Sequence, residues 1–252
     1  MEPAESDRQM RGERALVVSD VHLTPRDPET VHLFLQFLRT EAEGAGALHI
    51  IGDLFDFWLG RKQATMPGYA PILSALARLA EGGTEVTFLP GNRDFALGAE
   101  TLGSRGVRVL PDVAEVRFGP RRVILTHGDL LCTRDHRYHQ MRRVIRSRPA
   151  LSILEALPRG VAMRLAGGFR KASGVEIEAK SRYVLDPDFE EARRWLEKGF
   201  DALIFGHVHT GEHYRVDLED RTADIVVLPS WQDQPGFALW DGEAIRLQRF
   251  TG

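Results

Sequence analysis

The chain has 252 residues, 43% hydrophobic and 27% charged, with a formal net charge of −3. That length suits one large α/β domain, and the composition is that of an ordinary globular protein. The slight acidity gives no general case for nucleic-acid binding, and no uninterrupted apolar run reaches the ~18 residues a bilayer span requires.

Residues 1–13 are polar and carry both signs of charge without an apolar core, so they read as a flexible tail rather than a secretory signal. The single cysteine, Cys132, has no internal disulfide partner and reads as a small packed residue in a reducing, cytoplasmic compartment. Arg14 to Asp20 gives a short buried strand that ends on an acid. Pro28 opens a helix with Val31, Phe34, Leu35 and Leu38 at helical spacing, closed by Gly44 and Gly46. Ala47–Gly52 is a second buried strand, Pro71–Ala80 a helix and Glu85–Leu89 a third strand. Strands alternating with helices mean parallel pairing, and a parallel sheet is covered on both faces.

After Gly103 short strands follow closely: Val107–Leu110, Val113–Phe118 and Arg122–Thr126, with Gly119-Pro120 as a turn. The pattern returns at Ala202–Phe205, Tyr214–Leu218, Ile225–Leu228, Phe237–Trp240 and Ala244–Gln248, with Asp241-Gly242 as a hairpin turn. Two mixed sheets packed face to face with helices outside accommodate this count, a four-layer αββα sandwich. The single domain is expected to run from 14 to 252. Within it, about 133–196 reads as a helical cap insertion. Met141 to Lys171 carries eight basic residues against one acid, Glu155, interleaved with Leu151, Ile153, Leu154, Leu157 and Phe169. An amphipathic core pair with a solvated basic face and a lipid-facing surface fit that periodicity equally well.

Five stretches place metal-binding side chains just past a strand: Ser19-Asp20-Val21-His22, Gly52-Asp53-Leu54-Phe55-Asp56, Gly91-Asn92-Arg93-Asp94, Thr126-His127-Gly128-Asp129 and Gly206-His207-Val208-His209. The carboxyl ends of strands in open α/β sheets are where ligands bind. One such acid is ordinarily a turn former or helix cap, and one such histidine a satisfied core residue. Five in succession with flanking glycines point to a common site. Imidazole, carboxylate and amide donors without a thiolate suit Mn²⁺, Fe²⁺, Zn²⁺ or Mg²⁺. Asp20, His22, Asp53, Asn92, His127, His207 and His209 are too many ligands for one catalytic ion. With Asp53 shared, each of two ions receives four, the clamp used for phosphoryl displacement.

In order and composition these stretches resemble the signature of the calcineurin-like metallophosphoesterases: D-x-H, G-D-x-x-D, G-N-H-D/E, G-H and G-H-x-H. One position departs, since Arg93 stands where the family usually has a histidine that assists the leaving group. A phosphate monoester leaving from a pyrophosphate is a weak base and needs little such help, and Arg93 can hold a phosphate oxygen instead. Gly91-Asn-Arg-Asp-Phe95, Gly52-Asp-Leu-Phe-Asp-Phe-Trp58, His127-Gly-Asp-Leu-Leu-Cys-Thr133 and Val226-Val-Leu-Pro-Ser-Trp231 are similar to the branch that hydrolyses UDP-2,3-diacylglucosamine in lipid A synthesis.

What the resemblance implies is metal-hydroxide attack on the α-phosphorus of that lipid, releasing UMP and 2,3-diacylglucosamine 1-phosphate, with two divalent ions, Mn²⁺ foremost. It casts Asp53, Asn92, Arg93 and His207 in catalysis. Asn92, Arg93, Asp135, Tyr138, Arg170, Ser173, Lys180 and His207 become substrate contacts, and the basic insertion would meet the cytoplasmic face of the inner membrane peripherally. No nucleic acid and no obligate protein partner are expected. Ser173 to Lys180 departs from the branch in carrying acids and Ile177. Another nucleotide, diester or phosphoprotein substrate, or a scaffold role without catalysis, are the competing readings. Asp94 and Asp129 are expected either to orient ligand histidines or to serve their local turns, Asp56 to cap its turn or support the metals, and His213 is a reserve ligand.

Overall fold

The computed structural model describes residues 13–58, 60–156 and 186–252. Most of the expected tail, together with Arg170, Ser173 and Lys180, lies outside the described residues. Among the described residues eleven strands form two sheets. The first has the order β11-β10-β1-β2-β3-β4, from β1 (Ala15–Val18), β2 (Ala47–Ile51), β3 (Glu85–Leu89), β4 (Arg108–Val109), β10 (Gly236–Trp240) and β11 (Ile245–Arg249). The second has the order β5-β6-β7-β9-β8, from β5 (Val113–Phe118), β6 (Arg121–Thr126), β7 (Ala202–Phe205), β8 (Thr210–Asp217) and β9 (Thr222–Pro229). Strands β1, β2 and β3 pair in parallel, as do β6, β7 and β9.

Successive residues of a strand point to opposite faces, and β1 shows what that does in a four-layer protein. Leu16 and Val18 face the outer helices, joining Phe34 and Phe37 of the helix Pro28–Phe37 and Ile72 and Leu76 of the helix Ala70–Glu81. Ala15 and Val17 face inward, against Val123, Leu125, Ile204 and Val226 of the other sheet. The far face of the second sheet, Ile124, Leu203, Phe205 and Ile225, is closed by Ala192 and Leu196 of the helix Phe189–Leu196. The αββα order follows from these three buried layers. Helix Phe189–Leu196 therefore belongs to the outer layer of the body, although it falls within the stretch 133–196 expected as the insertion.

The parallel strands send five loops to one edge: β1, β2 and β3 from one sheet, β6 and β7 from the other. The ladder continues past the strand ends. His22 N donates to the Asp53 carbonyl at 2.9 Å, Leu23 N to Leu54 at 2.8 Å and Asp56 N to Leu23 at 3.1 Å. Trp231, just after β9, donates its backbone N–H to the Asp20 carbonyl at 3.1 Å. Its ring is buried edge-on between Phe34 and Phe37. The core thus extends directly beneath the site. Among the described residues no helix is long and apolar enough to cross a membrane.

Candidate metal centre

Residues after a strand must turn sharply if their side chains are to face a common point, and the backbone shows this cost. Among the described residues, the non-glycine residues with positive φ are Asp20, His22, Asp53, His207 and His209, at 52° to 69°. Asp and His tolerate this left-handed region better than most residues, at roughly 1–3 kcal/mol each. Five strained residues that are all expected ligands mark one over-determined site.

The carboxylate of Asp53 is its centre. Oδ2 lies 3.8 Å from His22 Nδ1 and Oδ1 lies 3.8 Å from His127 Nε2. Oδ1 of Asp53 also accepts from the backbone N–H of Arg93 at 2.9 Å. On one side, Asp20 Oδ1 meets His209 Nε2 at 3.0 Å and lies 3.9 Å from His22 Nε2. On the other, Asn92 Oδ1 sits 2.8 Å from His127 Nε2 and 3.1 Å from His207 Nδ1. All seven expected ligands are thus brought together. Among the described residues, two groups of acid and histidine atoms are compact enough to hold an ion: Asp20, His22 and His209, and Asp20, Asp53 and His127. Asp20 is common to both, while Asp53 turns one oxygen toward each side.

The electrostatics fit bound cations. Both ring nitrogens of His22 are buried without a hydrogen-bond partner, which is rare unless something else binds them. Burial, reinforced by the Arg93 charge, pushes His22 down to about 3, so the ring is neutral and has one nitrogen lone pair to give. Burial likewise lowers His207 to about 4, with the His127 charge adding to it. Asp53 is raised by its burial and by the Asp20 charge, against the opposing fields of His127 and Arg93. Burial works to raise Asp20 too, but the His209 hydrogen bond and the surrounding histidines hold it well below the carboxylate range. Divalent cations would relieve the crowding of two buried acids and engage the orphaned imidazole.

Arg93 is 32% exposed in its side chain and bridges two acids, with Nε 3.5 Å from Asp53 and an NH1 bond to Asp56 at 2.9 Å. Asp56 thereby acquires a use other than capping its own turn: it holds the guanidinium at the mouth of the site. Asp94 takes the local loop role rather than the histidine-orienting one, and two further expectations, for Asp129 and His213, need correction. Asp94 does not hydrogen-bond a histidine; it accepts from the backbone N–H groups of Asp53, Leu54, Phe55 and Gly91, at 2.8 to 3.4 Å, and so fixes the loops. Asp129 binds Tyr138 Oη and Arg142 Nε, not a ring nitrogen, and reaches His127 and His207 only through its field. His213 pairs with Asp224 at 2.9 Å on β8 and β9 and does not join the cluster.

Asp135 is the N-cap of the helix His136–Ile145, accepting from Tyr138 N, and Tyr138 lies 6.5 Å from the His207 ring. Sequence reasoning missed Asp112, which binds Arg142 and Arg146. The available signal was the spacing of those arginines, four apart and hence on one face of a helix.

Residues 13–211 match a family model described as calcineurin-like phosphoesterase, and the chain belongs to that family. Membership implies divalent metal ions. A curated relative from Aromatoleum aromaticum named UDP-2,3-diacylglucosamine hydrolase is 38% identical over 231 residues, 90% of this chain and 93% of its own. Relatives of the same name from Pseudomonas fluorescens and Pseudomonas putida are each 35% identical over 93% of this chain, covering 94% and 98% of theirs.

Proposed function

We propose that this protein hydrolyses the pyrophosphate of UDP-2,3-diacylglucosamine, releasing UMP and 2,3-diacylglucosamine 1-phosphate, at the edge where the five loops meet. The observation that carries this is the pairing of a complete seven-donor cluster with Arg93 in place of a histidine. In this reading Asp20, His22 and His209 would hold one ion and Asn92, His127 and His207 the other, with Asp53 available to both. The ion is Mn²⁺. When bound, such a pair acidifies a water and neutralises phosphoryl oxygens.

The remaining work falls to the protein. Arg93, steadied by Asp56 and partly exposed, reaches outward to a non-bridging phosphate oxygen as a fixed cation. The departing sugar phosphate needs no strong acid, which accounts for the lack of a histidine at this position. Asp94 holds the Asp53 and Gly91 backbones in register, so the donors are preorganised rather than recruited. Asp135 and Tyr138 stand at the insertion side of the site, and Arg170, Ser173 and Lys180 complete the substrate contacts. The insertion, the stretch 133–196 apart from the body helix Phe189–Leu196, shelters the acyl chains and meets the cytoplasmic face of the inner membrane peripherally.

The test offers UDP-2,3-diacylglucosamine and a small aryl phosphodiester side by side with Mn²⁺ and measures UMP and aryl alcohol. Expected is faster turnover of the lipid, reduced about a thousandfold by Asp53→Ala or Asn92→Ala. Equal or better turnover of the aryl diester would remove the lipid assignment.

A further inference from the structure

The helix His136–Ile145 has no fully buried residue, so a buried apolar face is not what docks it. Ion pairs and hydrogen bonds do. Arg142, 13% exposed, binds Asp129 through Nε at 2.8 Å and Asp112 through NH2 at 2.9 Å. One turn later Arg146, 14% exposed, binds Asp112 with NH1 at 2.5 Å and donates from NH2 to the Gly91 carbonyl at 2.7 Å. Asp112 lies in the loop between β4 and β5, outside every ligand motif, and brackets the two guanidinium groups.

The Gly91 carbonyl belongs to the peptide whose nitrogen is Asn92. Asp94 fixes the preceding peptide through Gly91 N at 2.9 Å. With Arg146 on the following one, both peptide planes around Gly91 are held, and the Asn92 amide oxygen is aimed between His127 and His207. Nothing in the loop itself supplies the second hold.

We infer that Arg146, braced by Asp112 and Arg142, is a positioning residue for Asn92, through which the insertion sets the geometry of one of the two metal positions. The inference rests on the proposed role of Asn92 as a metal ligand. It makes the insertion part of the metal centre as well as a wall for substrate, and assigns the basic residues two different jobs: those at 142 and 146 face inward to acids and a carbonyl.

The experiment titrates metal-free full-length protein with Mn²⁺, following the ion by electron paramagnetic resonance, and measures kcat and KM for UMP release. Wild type is expected to take two ions. Arg146→Gln should lose at least about tenfold in affinity for one and keep the other, with kcat falling more than KM rises; Arg146→Lys should recover part of both. Asp112→Asn, which leaves Gly91 untouched, should shift the same ion in the same direction, and it decides the matter if Arg146→Gln does not fold. Two unaltered Mn²⁺ affinities with only a raised KM would show that the network merely docks the insertion and would overturn the inference. Asn92→Ala is the control: if it leaves both affinities unchanged, the ligand reading itself fails. Loss in Asn92→Ala without loss in Arg146→Gln rejects the inference alone.

Discussion

Gly91 gives up its Cβ position to Asp53. A methyl group built there would fall well inside contact distance of Asp53 Oδ1 and of its backbone nitrogen. Gly52 stands in the same relation to His127, with a Cβ 2.6 Å from Nδ1. The glycines of these motifs let neighbouring loops close to backbone contact. Gly91→Ala, whose φ is not positive and whose cost is therefore contact alone, is expected to displace the Asp53 carboxylate. Stability should fall by about 1–3 kcal/mol, the usual cost of overpacking. Bound Mn²⁺ per chain should fall with it, measured by elemental analysis after dialysis. Unchanged metal content would show that the loops can part without consequence.

Asp94 provides a second, separable test of preorganisation. Its carboxylate accepts backbone N–H groups from two loops, and burial together with the Asp53 charge raises it to about 7. Asp94→Asn keeps the shape but turns an amide NH2 toward donors, leaving at least one buried N–H unsatisfied at about 1–3 kcal/mol. Chemical denaturation should report that loss with an unchanged slope, and Mn²⁺ affinity should drop although no ligand has been altered.

Arg93 separates charge from geometry. Arg93→Ala is expected to reduce kcat for UMP release about a hundredfold or more, the scale of losing one fixed donor at developing charge, while Mn²⁺ content holds. Lysine should restore little, because one guanidinium now spans Asp53 and Asp56 at once. Substantial rescue by lysine would mean that a point charge suffices and that Asp56 has no positioning value.

What the sequence made legible follows from what period and position can encode. Glu85–Leu89, Val113–Phe118 and Ala202–Phe205 coincide with β3, β5 and β7 because each shows a strand pattern bounded by turn residues, a mostly apolar run in β3 and β7 and alternation of Ala114, Val116 and Phe118 with polar neighbours in β5. Strand β8 begins four residues before its expected start at Tyr214, since Thr210 to His213 are largely exposed and carry no apolar alternation. The seven donors could be found because each lies one to four residues past a strand. The roles of Asp94 and Asp112 could not: both bind backbone or side chains distant in sequence, and neither local pattern nor charge distinguishes such an acid from a turn former. The arginines at 142 and 146 were visible only as members of a basic stripe, for helical spacing gives the shared face but not which way it points.

His49 makes stability depend on pH away from the metal centre. It lies within β2, 3% exposed, with Nδ1 2.7 Å from Thr87 Oγ1. Burial lowers its ring from 6.5 to about 4, with the Glu85 charge opposing. Between those values the unfolded chain binds a proton that the native protein refuses, so stability falls as pH drops from about 6.5 to about 4 and is fully present above 6.5. The shift corresponds to about 3 kcal/mol at most. His49→Gln keeps an acceptor for Thr87 but cannot be protonated, so in metal-free protein its unfolding free energy should decline less steeply across that window than wild type. The difference between the two slopes isolates His49, because the other histidines are common to both. Parallel slopes would show that His49 takes up its proton in the folded protein as easily as in the unfolded chain.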